Sequence, residues 1–234
     1  MGRLFLRRPK LKTKMNLHTT THHHGGVPPS PGLPRILAGQ RAGVRSLKPI
    51  TRIAIAMSAL ALISSYFVPL WQILMWAPQY PEGLEMKIWI NTLSGDVRTI
   101  STLNHYIGMK TIEVSMFPEF NYMIYLVGAI IGIGLLASIF NKRFMLIAYL
   151  SVIVLAGIGA LVDFYMWGYD YGHNLNPEAP IKIEGMTYQP PLIGTKVLLN
   201  FTAFSGPDIG GWIFIGVGLL LGGLVYYEWK KDTY

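Results

Sequence analysis

Two histidines and several methionines are the residues of this sequence whose types could bind a metal. His105 and Met109 stand four positions apart, so on a helix they would lie one turn apart on a shared face. Imidazole and thioether together suit copper, and Cu(I) in particular. His173 and Met86 are candidates to complete such a site. The alternative is that the methionines only fill an apolar core, for which their flexible side chains are well suited.

Two carboxylates precede His173 and could also act in such a site. Asp163 falls inside an apolar segment typical of a membrane span, and Asp170 lies between that segment and His173. An ionisable group inside a span is costly, so it marks a functional position by default. We expect Asp163 or Asp170 to orient a metal ligand or to hydrogen-bond a neighbouring helix. The alternative for Asp163 is a carboxylate at the membrane boundary that water reaches.

Several classes of chemistry are excluded or disfavoured by what the sequence lacks. The chain has no cysteine, which excludes disulfides, zinc thiolate sites, iron–sulfur clusters and thiol catalysis. It has no phosphate-binding loop, nucleophile elbow, His-Glu-x-x-His zinc helix or dinucleotide fingerprint. The two histidines outside the N-terminal region both fall in predicted loops, so they do not resemble the paired ligands of a membrane haem. We therefore expect no enzymatic activity from this chain alone.

The composition predicts that membrane-spanning helices position these residues. Hydrophobic residues make up 51% of the chain and charged residues 14%, and the mean hydropathy is +0.37, which is too apolar for an ordinary soluble domain. A helix needs about 20 residues to cross the hydrocarbon core. Four apolar segments come close to that length: residues 53–76, 122–140, 144–167 and 209–227. The predicted fold class is therefore an all-α membrane protein with four transmembrane helices.

The distribution of positive charge predicts the topology. Of the 20 Lys and Arg residues, 15 lie in residues 1–52, in the turn 141–143 or at Lys230 and Lys231. The other five lie in the two long loops, residues 77–121 and 168–208. Because cytoplasmic flanks carry an excess of Lys and Arg, we expect both ends, including residues 230–234, in the cytoplasm. The two loops are then outside.

The N-terminal region differs in composition from the rest of the chain. Residues 1–52 carry 11 Lys and Arg residues and no acidic residue, and they are rich in Pro, Gly and Thr. Such a composition cannot bury enough apolar surface to fold alone, so we expect a disordered cytoplasmic tail. Because the tail precedes a membrane domain, its charge favours the anionic bilayer surface as a partner and does not indicate nucleic acid.

The two loops are predicted to form a small cap on the far side of the bundle. Residues 85–91 alternate like a strand, and residues 181–184 could form a second strand that pairs with the first. From Asp96, a plausible N-cap, apolar residues recur at helical spacing through residues 99–109. Residues 192–204 form a further amphipathic segment. If the loops pair, they bring His105 and His173 near each other.

Glycines in the predicted spans indicate close helix packing. Small residues let helix backbones approach closely inside a membrane, either within a bundle or against a partner subunit. The positions expected to serve as such an interface are Gly128, Gly132, Gly218 and Gly222.

Four segments carry a resemblance to a known family. They are Pro69–Trp71, Ala77–Leu84, Leu103–Met109 and the stretch from Pro190 to Phe201. On these segments the chain resembles, over about residues 53–229, a little-characterised family of bacterial four-helix membrane proteins. Members accompany proteins of nitrous-oxide-reductase maturation and of periplasmic copper handling. The resemblance implies a bacterial inner-membrane location and singles out His105 and Met109 as the functional loop motif.

Together these observations predict an inner-membrane accessory protein that assists copper delivery to, or assembly of, a periplasmic copper enzyme. The lipid bilayer and a protein partner in the membrane or periplasm are the expected contacts. One alternative is a non-catalytic structural subunit of a larger membrane complex, such as a respiratory one. A further alternative is a transporter or quinone-linked component, which a single clear acid within the spans favours less.

Overall fold

The computed structural model of the protein describes residues 46–181, 185 and 187–230. Within these ranges, four helical segments are long and apolar enough to cross a membrane. The first is α1 with a short 3-10 continuation, and the others are the helices α3, α4 and α5. Their bounds are Pro49–Ala61 with Leu62–Tyr66, Phe120–Phe140, Arg143–His173 and Ile209–Lys230. The prediction of four apolar spans is confirmed at this level.

The prediction of the first span, residues 53–76, is wrong in its second half. The helical segment ends at Tyr66, and Trp71–Ala77 is a β-strand instead of helix. Pro69 cannot donate a backbone hydrogen bond, so it favours an end to the helix before it. An apolar run of this length does not by itself distinguish helix from buried strand.

The predicted boundary of the tail, at residue 52, is also wrong. Residues 1–45 lie outside the described residues, but α1 already begins at Pro49, a residue that suits the first turn of a helix. Leu47 is 4% exposed, and its N–H donates to Asn141 Oδ1 at 2.8 Å. The prediction for residues 230–234 is described only at Lys230, where α5 ends.

A β-sheet contradicts the all-α prediction. Its five strands, in the described part of the chain, have the order β3-β2-β1-β5-β4, and all neighbours are antiparallel. The predicted strand at 85–91 overlaps β2, whereas the amphipathic segment 192–204 forms the hairpin of β4 and β5. Most of the predicted strand 181–184 lies outside the described residues. The strands are β1 Trp71–Ala77, β2 Tyr80–Ile88, β3 Leu93–Gly95, β4 Gly194–Leu198 and β5 Phe201–Pro207.

The sheet is the base of the cap, and one of its faces is buried. Ile73 of β1 pairs with Met86 of β2 on one side and with Ser205 of β5 on the other, and all three side chains are at most 4% exposed. This face packs against α2, Val97–Tyr106, and against the end of α4. The ring of Trp71 meets that of Phe164 edge to face, with centroids 5.7 Å apart. The two loops and the tip of α4 therefore share one core.

At the opposite end of the bundle, a buried carboxylate joins three helices. Glu228 of α5 is 2% exposed. Its Oε1 accepts from Thr51 Oγ1 at 2.6 Å and from the Lys48 N–H at 3.3 Å, and its Oε2 lies 3.4 Å from Arg143 Nη2. We call these four residues the Glu228 cluster, and this side of the bundle the charged end. Because the cluster joins the first residues of α1 and α4 to the last turn of α5, these three helix ends lie together, opposite the cap.

Candidate functional site

The segment from His105 to Met109 is not a continuous helix. α2 ends at Tyr106, and Gly108 has a φ of +86°. The Gly108 N–H donates to the His105 carbonyl at 3.1 Å, and the Met109 N–H donates to the Asn104 carbonyl at 3.0 Å. These two bonds are the Schellman arrangement that ends many helices at a glycine. The expectation that His105 and Met109 share a helix face is therefore wrong.

The four predicted metal ligands lie in two different environments. Met86 and Met109 are 3% and 5% exposed and belong to the same apolar cluster in the cap core. His105 is exposed on α2. His173, at the end of α4, stacks on Tyr169 with ring centroids 3.9 Å apart, and its Nδ1 lies 2.9 Å from the Tyr169 carbonyl oxygen. The structure thus brings the two thioethers into one cluster and leaves both imidazoles outside it.

Two polar side chains inside the cap core have hydrogen-bond partners, and a third has none among the described residues. Asn104 Nδ2 donates to the Tyr171 hydroxyl at 3.1 Å, and Ser101 Oγ accepts from the Ile112 N–H at 2.9 Å. The Tyr188 hydroxyl is buried without a hydrogen-bond partner among the described residues. No group of three or more His, Asp or Glu residues in that part of the chain is arranged to hold a metal ion. Copper binding through the thioethers stays a prediction.

Asp170 links α4 to the turn that follows α2. Its carboxylate accepts from Lys110 Nζ at 2.6 Å and from Asn174 Nδ2. Both side chains of the ion pair are about half exposed, so the pair contributes little to stability. The contact orients the first loop against the helix; no predicted metal ligand takes part in it.

The end of α2 also fastens the two loops together. The Asn176 N–H donates to the Gly108 carbonyl at 2.7 Å, and the Ile181 N–H donates to the Tyr106 carbonyl at 3.0 Å. A Cβ at Gly108 would lie 3.0 Å from the Ala179 Cβ. Gly108 is therefore required both by the positive φ and by the close approach of the second loop.

The four interface glycines divide into two pairs. A Cβ at Gly128 would lie 3.3 Å from the Tyr66 hydroxyl, and one at Gly218 would lie 4.0 Å from Ile153. Both positions face other parts of the bundle. At Gly132 and Gly222, no atom of the described residues lies within 4 Å of such a Cβ. These two glycines face the surroundings of the chain.

The middle of α4 stands clear of the rest of the bundle. Buried residues of α4 lie near the charged end, up to Ile153, and near the cap, from Gly168 onward. Between them, residues 157–160, a full helical turn, are exposed on every side. Asp163 is also exposed and has neither a hydrogen bond nor an ion pair within the described ranges. The Asp163 carboxylate, which the sequence indicated as a functional position, therefore faces outward.

The structure has a cleft beside the start of α3 that was not predicted from the sequence. Its volume is about 370 Å³, and it lies between the first loop and the helix. The polar residues that line it are Asn91, Ser115 and Asn121, and the aromatic ones include Phe117 and Tyr125. These neutral residues carry none of the sequence signals that mark a site, so a search for charged or metal-ligating side chains passes over them.

No family model, curated protein or solved structure matches this chain. The resemblance to the bacterial family therefore remains a prediction from the four sequence segments.

We predict that Gly108→Ala loosens the cap. The substitution adds the strain of a positive φ, about 1–2 kcal/mol, and a contact with the second loop that costs about as much again. Hydrogen exchange at the Met109, Asn176 and Ile181 amides should accelerate markedly. Gly194→Ala is the matched control, because Gly194 has a φ of +94° and no described atom within 4 Å of a Cβ. Equal acceleration in both variants would show that the second loop does not depend on Gly108.

Proposed function

We propose that this chain is a non-catalytic accessory subunit of a larger membrane complex. The observation that carries the proposal is the helix surface left uncovered, since only 17% to 33% of the residues in the apolar stretch of each span are buried within the described chain. Helices in a membrane associate through close packing, because lipid tails are as apolar as the helices themselves. Glycines on three spans have open space around them, namely Gly132 on α3, Gly157 and Gly159 on α4, and Gly216, Gly222 and Gly223 on α5. Small residues at such positions are typical of helix–helix interfaces.

The cap would hold a fixed position above the membrane in such a complex. Leu70, between the first span and β1, donates to the Ile88 carbonyl at 2.8 Å and accepts from the Asp208 N–H at 3.1 Å. The Gly210 N–H, at the start of α5, donates to the Pro69 carbonyl at 2.8 Å. These bonds join the central strands to two spans. A partner that contacts both a span and the cap would therefore meet one rigid body.

The orientation in the proposal has the charged end in the cytoplasm and the cap outside. Lys48, Lys142, Arg143 and Lys230 surround the charged end, which supports this orientation by the excess of cations on cytoplasmic flanks. We also propose the bacterial inner membrane as the location, which is what the resemblance of the four sequence segments implies.

The proposal predicts a stable assembly in native membranes. After extraction in a mild detergent such as digitonin, the chain should migrate in a complex well above its own 26.2 kDa. Mass analysis of that complex should find a different protein. As a control, the purified chain in dodecyl maltoside should run as a monomer and keep its helical circular dichroism. Migration as a lone chain, or only as multiples of itself, would contradict the proposal.

Copper delivery is the second candidate, favoured by the placement of Met86 and Met109 in one buried cluster. Thioether sulfur is a soft ligand that suits Cu(I). Under this candidate the purified chain binds about one Cu(I), and Met109→Leu weakens binding about 10- to 100-fold while nearly conserving volume. Met57→Leu is the control, because Met57 is 60% exposed on α1, away from the cap. Failure of the parent to bind Cu(I) in competition with a chelator excludes this candidate.

A further inference from the structure

We propose that the uncovered middle of α4 binds a transmembrane helix of a different protein, one that carries a basic side chain at the level of Asp163. This inference rests on the proposed function and names the chemistry of the partner. Two neighbouring features of α4 carry it: Gly159, whose missing side chain leaves an open notch, and the unpaired carboxylate of Asp163 one turn away.

The notch lies on one face of α4. Leu155, Gly159, Val162 and Met166 follow one another at intervals of three and four residues, so they form a single stripe. The three large side chains are 67%, 52% and 63% exposed, respectively. Apart from the chain neighbours of Gly159 and the nearby backbone of α4 itself, no described atom lies within 4 Å of a Cβ at Gly159. The stripe thus offers a gap flanked by apolar side chains, which is the shape that accepts a second helix at close range.

Asp163 places a negative charge beside this notch. It follows Gly159 by four residues and so lies one turn nearer the cap on the same side of the helix. Asp163 is exposed and makes no hydrogen bond or ion pair with the described residues. A helix that packs on the stripe would therefore approach this carboxylate directly.

The depth of Asp163 decides what the approaching helix must carry. Asp163 stands twenty residues after Arg143, which corresponds to about 30 Å along the helix axis. Since the hydrocarbon core is also about 30 Å thick, the carboxylate lies at its cap-side edge. Water reaches the carboxylate in the free chain, but a packed helix displaces that water. The carboxylate then needs a cation or a hydrogen-bond donor from the incoming helix.

Charge also distinguishes a different protein from a second copy of this chain. Two copies packed through the same stripe would bring one Asp163 carboxylate toward another, which is unfavourable for like charges. Within the four spans, the Lys and Arg residues are Arg52, Arg143 and Lys230, all at the charged end. A second copy in parallel orientation therefore offers no cation at the level of Asp163. A basic residue in the cap-side part of a foreign helix does.

The test uses the full chain in phosphatidylcholine vesicles and a synthetic helix as the probe. A cysteine at exposed Thr195 carries the donor dye, and since the chain has no native cysteine the label is unique. The probe is a leucine–alanine transmembrane helix with an acceptor dye and one lysine near its outer end. Matched probes carry leucine or glutamate at that position. Energy transfer should reach half-maximum at a roughly tenfold lower probe-to-lipid ratio for the lysine probe than for either matched probe.

Two variants separate the charge from the notch. Asp163→Asn should abolish the preference for lysine over leucine and leave the binding of the leucine probe unchanged. Gly159→Leu should weaken every probe, whereas Ala129→Leu, at an exposed small residue of α3, should weaken none. Circular dichroism confirms that each variant is folded, and Asp163→Asn keeps the test valid if a leucine variant does not fold.

Four results would overturn the inference. They are equal binding of the lysine and leucine probes, a lysine preference that survives Asp163→Asn, energy transfer between two labelled copies without probe, and loss of the preference when phosphatidylethanolamine supplies the amine. The third result identifies a second copy as the occupant, and the fourth identifies lipid. A native complex containing a different protein, without a lysine preference, would leave the accessory function standing and refute this binding face.

Discussion

The buried carboxylate of Glu228 is the contact on which the arrangement of the helices most depends. A carboxylate with almost no exposed surface is stable only when donors and positive charge surround it, and here Thr51, the Lys48 backbone and Arg143 supply them. These partners come from the first residues of two helices. The single acid on α5 therefore fixes the separation of α1 and α4 at the charged end, where α4 still packs closely. In the middle of α4 the constraint is absent, and residues 157–160 are exposed on every side.

Two of these helices, α1 and α5, also fix the position of the cap. α1 leads through Leu70 into β1, and β5 leads directly into α5, so two constrained spans carry the central pair of strands. The second loop is then held by the end of α2 through Gly108. The result is a rigid cap on a bundle whose outward-facing glycines are open. That combination suits a subunit that presents surfaces to a partner better than it suits an enclosed site.

The sequence predicts the parts of this structure that depend on composition. Long apolar runs identify the four spans, and the separation of cations predicts which ends of the spans lie in the cytoplasm. The β1 strand was not predicted because Trp71–Ala77 is apolar on both faces apart from Gln72 and lacks the alternation of a half-exposed strand. In the sequence, Glu228 beside Lys230 resembles an ordinary charged residue at a membrane surface. Its burial could not be predicted, because it depends on contacts with Thr51 and Arg143 from distant parts of the chain. The glycine at 108 did carry a local signal, because a glycine after an amphipathic segment is typical of a helix end.

The most direct measurement of the central claim is the unfolding free energy of Glu228→Gln in detergent micelles. Glutamine can still accept a hydrogen bond from Thr51, but it removes the negative charge that faces Arg143. The account predicts a loss of about 3 kcal/mol, with faster hydrogen exchange at the first turns of α1 and α4. Glu113→Gln, at an exposed acid of the first loop, should change stability by less than about 0.5 kcal/mol. A Glu228→Gln variant as stable as this control would contradict the account.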